Sequence, residues 1–364
     1  MRILDRYILK AFVGPFLFGI FAFTSIFIGT GTLFKIAQYI TQYGASIWAV
    51  TRAFFLAMPS IVVLTFPMAV LLASLMAFSK LSATSEITVM RAGGQSFLRL
   101  ATPVYVLALV ISLCTVAFNE YVVPATNHAY QSIIRNEIMK EATPRTQNHI
   151  VLKTMDGDNI STLMYAREYN ADTKQLKGIT VQQFSNGNVS QMENAQTAKW
   201  TGQYWIMYNG TIYDLSTKGA GIERTMTFTE QVLPIKRNPD QLSRDQMKPE
   251  EMTIKQLREQ IKAYKSSYVD TSELEMELYQ RFSIPLASFV FALIGAPLGL
   301  QKTRSSSSSV GFGVSVLIIF IYYGVMTFTA ALGKGDVLPP VVAAFIPDGI
   351  GVLAGLFLNW RASK

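Results

Sequence analysis

Phe66–Gln95 reads FPMAVLLASLMAFSKLSATSEITVMRAGGQ. An apolar segment closes at Lys80, a short polar stretch follows, and a Gly93-Gly94 pair stops it before a second apolar segment starts near Ala101. That order describes two membrane spans joined by a rigid helical knob at about 82–94. Ser82 is placed to cap a helix starting at Ala83, Glu86 falls in the first turn where the helix dipole favours an anion, and the glycines suit a left-handed end. Ile87 and Met90, three residues apart, share one face. The expected knob therefore offers another protein a small apolar face with one carboxylate beside it.

Working outward, half of the 364 residues are apolar and 15% are charged, and the charges are clustered. A hydrocarbon core of ~30 Å needs ~20 helical residues. Six segments qualify: about 11–34, 53–79, 101–121, 282–300, 310–332 and 339–360. The first is too long for the apolar core of a secretory signal and no convincing cleavage site follows it, so it reads as a retained span. Ten basic residues flank alternate spans (Arg2, Arg6, Lys10, Lys80, Arg91, Arg99, Lys302, Arg304, Arg361, Lys364) against only Asp5 and Glu86, a balance of +8. The positive-inside bias makes that side, with both termini, cytoplasmic. The net charge of +8 is thereby a topology signal and gives no support to nucleic-acid binding. Residues 120–281 hold 19 basic and 20 acidic residues and lie outside. The one cysteine, Cys114, sits inside the third span, and His128 and His149 lack ligand spacing, so neither a disulfide framework nor a metal site is indicated.

From about Thr126 to Lys140 the chain reads as a helical connector, after which the period changes to two. HIVLKTM, an Asp156–Asn159 turn, ISTLMYAR, GITVQQF, an Asn186-Gly187 turn, NVSQMEN, QYWIMYN, an Asn209-Gly210 turn, TIYDL and TMTFTEQVL give at least seven short strands over about 149–235. Strands at this spacing imply a sandwich or barrel-like domain. Residues 236–250 read as a linker, and apolar Ile254, Leu257 and Ile261 mark an amphipathic helix. The fold expected is an α-helical integral membrane protein with six transmembrane helices plus an inserted all-β domain. It divides into residues 1–125 (spans one to three), 126–270 (the β-domain with its connectors) and 271–364 (spans four to six).

SEITVMRAGG, followed two hundred residues later by RFSIPLASFVFALIGAPLGL, resembles the LptF/LptG (YjgP/YjgQ) family of lipopolysaccharide export permeases. The DRYILK start and the LPP and IPDG elements near the end extend the resemblance over the whole chain. It implies a bacterial inner-membrane subunit of an ABC-type exporter with a periplasmic, jellyroll-like β-domain. The knob becomes the coupling helix, with Glu86, Ile87, Met90 and Arg91 meeting an LptB-like ATPase dimer. The implied partners are a second LptF/LptG-type permease subunit, an LptC-like periplasmic protein and lipopolysaccharide itself.

The resemblance also gives a role to basic residues at the outer ends of spans, which ordinarily snorkel to the headgroups. Lys35, Arg52 and Lys334 become candidates for contact with lipid phosphates. Pro59 and Pro67 each remove a backbone donor in the second span and suit a kinked wall around a cavity that opens and closes. Asp348, about nine residues into the last span, is a functional-site candidate by its depth and is expected to face a wet cavity. GAPLGLQKT lacks the GxxxxGK[ST] order, so no ATP site or other cofactor site is expected in this chain and ATP is bound by the partner. No paired carboxylates or nucleophile–base set falls within the spans, which argues against an intramembrane enzyme. The alternatives are a permease for another lipid or a lipoprotein, and a scaffold that merely anchors a periplasmic domain.

Overall fold

The computed structural model describes residues 3–139, 146–156, 159–170, 173–185, 188–215, 221–233, 249–265, 270–300 and 308–364, with backbone only at 135–136, 146–160 and 308–310. The turns expected at Asp156–Asn159 and Asn186-Gly187, the linker 236–248 and the loop with Lys302 and Arg304 lie outside the described residues. Two compact units emerge: residues 1–139, 253–258 and 272–364 form the helical unit, and residues 140–252 and 259–271 the β-unit.

The helical unit contains six helices long and apolar enough to cross a membrane. The first is longer than its apolar run: α1 (Ile3–Phe27) passes through a π-helical turn (Ile28–Thr32) directly into α2 (Leu33–Tyr43), so Lys35 lies within the helix and not beyond it. Gly44, at φ +60°, ends α2, and the Ser46 hydroxyl accepts from Ala49 N at 3.2 Å to start α3 (Ile47–Ala83). This 37-residue helix continues unbroken past Pro59 and Pro67. After the short α4 (Glu86–Ala92), Ser96 caps α5 (Phe97–Tyr121), and α6 (Val123–Ile133) runs into a second π-helical turn, Ile134–Ile138. The remaining helices are α7 (Ile254–Lys265), α8 (Ser272–Leu298), α9 (Ser308–Lys334) and α10 (Pro340–Ser363). α8 begins ten residues before the apolar segment expected from Phe282, and takes Glu273 and Glu275 into its first turn.

Small residues set the closeness of packing. A Cβ on Gly295 or Gly299 of α8 would come within 3.0 Å of α3 atoms, and one on Gly351 or Gly355 of α10 within 2.8 Å of Val290 or Leu293 of α8. Lipid is as apolar as leucine, so helices in a bilayer associate by close backbone approach at GxxxG spacings. GAPLG and GVLAG are two such spacings. They leave α8 wedged between α3 and α10, and α3 and α8 are the two most buried spans.

The β-unit corrects the strand count. Among the described residues six strands, β1 (Thr146–Asp156), β2 (Asn159–Asn170), β3 (Gln175–Ser185), β4 (Asn188–Trp200), β5 (Trp205–Leu215) and β6 (Ile222–Leu233), form one antiparallel sheet in sequential order. The expected Asn209-Gly210 turn is the middle of β5. Asn209 takes φ +51° within the strand, and Gly210 leaves room for the Phe228 ring and Asn194 O, which a Cβ would meet at 2.2 and 2.4 Å. The same level of every described neighbouring strand carries an irregularity: buried residues step by three instead of two, from Ala166 to Tyr169, Leu176 to Ile179 and Ala195 to Ala198. At this level the pairs Arg167/Gly178, Gly178/Gln196, Gln196/Asn209 and Asn209/Thr229 drop out of the ladders while the register on either side is unchanged. Side chains alternate faces along a strand, so without this shared three-residue step one half of the sheet would turn its apolar side outward. The sheet curls around the shared core, since Tyr169 on β2 and Trp205 on β5 bring their rings to 6.1 Å although two strands lie between them.

Inside that curl Glu193 is 1% exposed and accepts from Gln183 Nε2 at 2.9 Å and Gln231 Nε2 at 3.1 Å, while Gln231 Oε1 is buried without a partner among the described residues. Burial pushes the Glu193 carboxyl above the usual carboxylate range, and the two amides pull it only partly back. The folded β-unit therefore holds a proton that the unfolded chain releases. Its contribution is present at pH values below the ordinary carboxylate pKa and is lost as pH rises through the raised folded value. Glu193→Gln should raise the thermal midpoint at neutral pH and flatten its fall over that window, read by tryptophan fluorescence from Trp205.

Candidate functional site

α4 is shorter and begins later than expected. Ser82 belongs to the last turn of α3, its hydroxyl reaching Leu300 O at 3.4 Å, and so caps nothing. Thr84 and Ser85 make the turn, Ser85 at φ +60°, and Gly94 at φ +84° closes the far end with Gln95 N donating to Met90 O at 3.1 Å. Seven residues cannot hold a helix by propensity alone, so tertiary contacts must. Ile87 supplies one: it is 4% exposed and sits in a cluster with Ile8, Phe12, Phe78, Leu81, Phe97 and Leu100. Met90 packs partly against the same cluster. The apolar face expected to meet a partner thus faces the protein's own core. Thr88, Val89, Arg91 and Ala92 face out, with Val89 69% exposed.

Glu86 is held from two sides. The Tyr7 hydroxyl donates to Oε2 at 2.7 Å and the Thr84 hydroxyl to Oε1 at 2.8 Å. The Tyr7 hydrogen bond, followed by that of Thr84, lowers the carboxyl below its ordinary value, so it stays ionised at neutral pH. Asp5, two residues before Tyr7, pairs with Arg99 of α5 at 2.8 Å. The start of α1 is therefore fastened to both α4 and α5. Sequence reasoning missed Tyr7, because 79 residues separate it from Glu86 and no local spacing announces the bond.

Successive spans alternate in direction, so Lys35, Arg52 and Lys334 occupy the end of the helical unit opposite α4. Lys35 is exposed and makes no hydrogen bond or ion pair among the described residues. It lies beside Val50, Ala53 and Tyr130 at a void of about 10 Å³, room for at most one water. Arg52 is paired with Glu137 in the second π-helical turn and lies over the Trp48 ring at 6.0 Å. Lys334 Nζ lies 3.8 Å from Glu273 at the start of α8. The structure brings Lys35 and Arg52 to neighbouring helices, whereas Lys334 belongs to a separate α8–α9 contact.

Asp348 does not face a wet cavity. It is 3% exposed, with Ser283 Oγ of α8 at 2.6 Å from Oδ2 and the Tyr322 hydroxyl of α9 donating to Oδ1 at 2.6 Å. The next residue, Tyr323, directs its hydroxyl to Leu64 O of α3 at 3.4 Å, between Pro59 and Pro67. Both carboxyl oxygens thus have protein partners, with Ser283 Oγ also 2.7 Å from Ala344 O, as a polar group buried in a span requires.

The model of the family "Lipopolysaccharide export system permease LptF/LptG" matches residues 6–361. The lipopolysaccharide export system permease protein LptG of Escherichia coli K12 is 25% identical over 373 residues, spanning 99% of both chains, and that of E. coli O6:H1 strain CFT073 matches equally. LptG of Haemophilus influenzae KW20 Rd is 23% identical over 370 residues, 99% of this chain and 98% of its own. A family match over nearly the full length, on six spans with one inserted β-sheet, places this chain in the LptF/LptG family of lipopolysaccharide export permeases.

Proposed function

We propose that this chain is the LptG-type permease subunit of an ABC exporter that lifts lipopolysaccharide out of the bacterial inner membrane. The family match carries the cargo, and the LptG name of the relatives above favours that subunit over LptF. The observation that carries the mechanism is α4: a short exposed helix anchored by Ile87 and aligned by the Tyr7–Glu86 bond. A separate LptB-like ATPase dimer grips the outward face of Thr88, Val89 and Arg91 on the cytoplasmic side. Its closure displaces α4 together with α1 and α3. At the periplasmic end those helices carry Lys35 and Arg52, whose charges meet the lipid phosphates through charge-assisted hydrogen bonds. A second permease subunit completes the cavity. The β-unit, periplasmic in this arrangement, passes the lipid to an LptC-like partner.

Gentle extraction of the tagged chain with mass spectrometry of what accompanies it tests the whole reading. An ATPase, a second permease and lipopolysaccharide are expected together; another lipid would change the cargo, and absence of any ATPase would leave only an anchor.

Two substitutions separate anchoring from contact on α4. Ile87→Ala should cost about 2–4 kcal/mol as a buried large-to-small change and lower the thermal midpoint. Val89→Asp should leave the midpoint in place and abolish ATPase pull-down.

Tyr7→Phe removes one hydroxyl and leaves Glu86 present. It should keep the complex assembled yet weaken the link between ATP hydrolysis and lipid release, and Glu86→Ala should weaken that link further. Unchanged export in both variants would remove Glu86 from the coupling path. Reversing Lys35 and Lys334 together should reduce lipid photocrosslinking at that end of the spans, and undiminished crosslinking would identify them as snorkelling residues.

A further inference from the structure

The guanidinium of Arg52, proposed above to meet a lipid phosphate, is already engaged by a carboxylate of its own chain. Glu137 reaches it from the π-helical turn Ile134–Ile138, 85 residues away in sequence. The engagement is incomplete. Only one terminal nitrogen of Arg52 meets Glu137, and its Nε is buried without an acceptor among the described residues. Both side chains are 40% exposed, so water and ions reach the pair and it is held weakly. Lys35, on the neighbouring helix beside Val50 and Ala53, is exposed and unpaired among the described residues.

A phosphomonoester carries up to two charges and three acceptor oxygens, and a guanidinium binds it by a two-pronged fork. It can take both terminal nitrogens of Arg52, where the carboxylate meets one, and Lys35 on the neighbouring helix adds positive charge at the same end of the spans. Glu137 offers a single charge and cannot occupy the same face of the guanidinium once phosphate is there.

The position of Glu137 gives the exchange a consequence. Ile134 and Ile138 of its turn, with Ile133 at the end of α6, pack against Ala49, Val50 and Ala53 of α3 and against Ala45 just before it, and Met139 is the last residue of this part of the helical unit before the chain continues into the β-unit. The Arg52–Glu137 pair is the described charged link between this turn and α3.

We infer that Glu137 is a resident stand-in for the lipid phosphate: cargo displaces it from Arg52, and its release loosens the Ile134–Ile138 turn from α3. This rests on Arg52 being a phosphate ligand. Linkage is reciprocal, so removing the competing carboxylate must strengthen phosphate binding, and phosphate must loosen the turn.

The test uses the full chain, purified with the subunits that accompany it, in nanodiscs. The probes are diphosphorylated lipid A and the same lipid dephosphorylated. Glu137→Gln should tighten binding of the phosphorylated lipid by about two- to fivefold, the worth of an exposed ion pair, and leave the dephosphorylated lipid unaffected. Hydrogen exchange over residues 134–138 should rise when phosphorylated lipid is added to the unaltered protein, and should already be high and unresponsive in the variant. Glu137→Ala serves as the second variant should the glutamine form insert poorly. Unchanged or weakened binding in Glu137→Gln, with exchange at 134–138 indifferent to lipid, overturns displacement. If Arg52→Ala still weakens binding in that case, Arg52 remains a phosphate ligand. If Arg52→Ala has no effect on binding, that reading falls and the exchange with it.

Discussion

Burial of Ile87 is the contact on which the working of the helical unit depends. A helix of seven residues has too few internal hydrogen bonds to stand alone, so α4 exists as a helix only while its one buried side chain stays in the cluster of Ile8, Phe78, Phe97 and their neighbours. Those neighbours come from α1, α3 and α5. Whatever pushes on the exposed side of α4 pushes on all three, because interiors packed at crystal-like density transmit displacement and do not absorb it. Glu86 and Tyr7 add direction to the same joint. A flexible loop bearing the same exposed residues could bind a partner equally well and would transmit nothing.

In the proposed mechanism α3 is the helix long enough to carry that displacement across the bilayer. At 1.5 Å per residue its 37 residues span about 55 Å, well beyond the hydrocarbon core. Its two prolines do not interrupt it, and Gly295 and Gly299 let α8 approach closely enough that the two backbones move together. Charge then marks the far end, where Arg52 sits within two turns of the Ser46 cap. The GAPLG stretch, superficially reminiscent of a nucleotide loop, finds its physical explanation here as a packing surface.

The spans were legible because a 20-residue apolar run has few alternative uses, and six such runs became six helices. Their ends were not legible. Ser82 is a good cap by type, but α3 reaches through Ala83 and takes it into its last turn, and Ser85, at the start of α4 with φ +60°, makes no side-chain capping bond. Ile87 and Met90 were correctly put on one face of α4, but a face is apolar whether it meets a partner or the protein's own core, and only long-range packing distinguishes the two. In the β-unit, Asn209-Gly210 carries the strongest short hairpin signal known, yet it lies mid-strand. The clue was in the neighbouring strands: the three-residue steps Ala166–Tyr169, Leu176–Ile179 and Ala195–Ala198 require a feature at one common level, and a positive φ at Asn209 is part of it. Bonds such as Tyr7–Glu86 and Ser283–Asp348 join residues far apart in sequence, which no local pattern encodes.

The buried Asp348 network limits where the unit can open. A carboxylate inside a span keeps its place only while both oxygens are satisfied, so Ser283 of α8 and Tyr322 of α9 cannot leave α10 without exposing an unpaired acceptor to hydrocarbon. Tyr323 extends the tie to Leu64 of α3, and the glycines of α8 and α10 reinforce it by contact. α3, α8, α9 and α10 therefore behave as one body at this depth. The Asp348 tie does not include α1 or α5; α1 is fastened to α4 through Tyr7 and to α5 through Asp5–Arg99, while α5 meets α10 through Tyr105 and Asn359. α1 lies outside the Asp348 tie and is interrupted by a π-helical turn at Ile28–Thr32 just before Lys35. A π-helical turn spends backbone regularity at one level, and here that level lies immediately below a candidate phosphate contact.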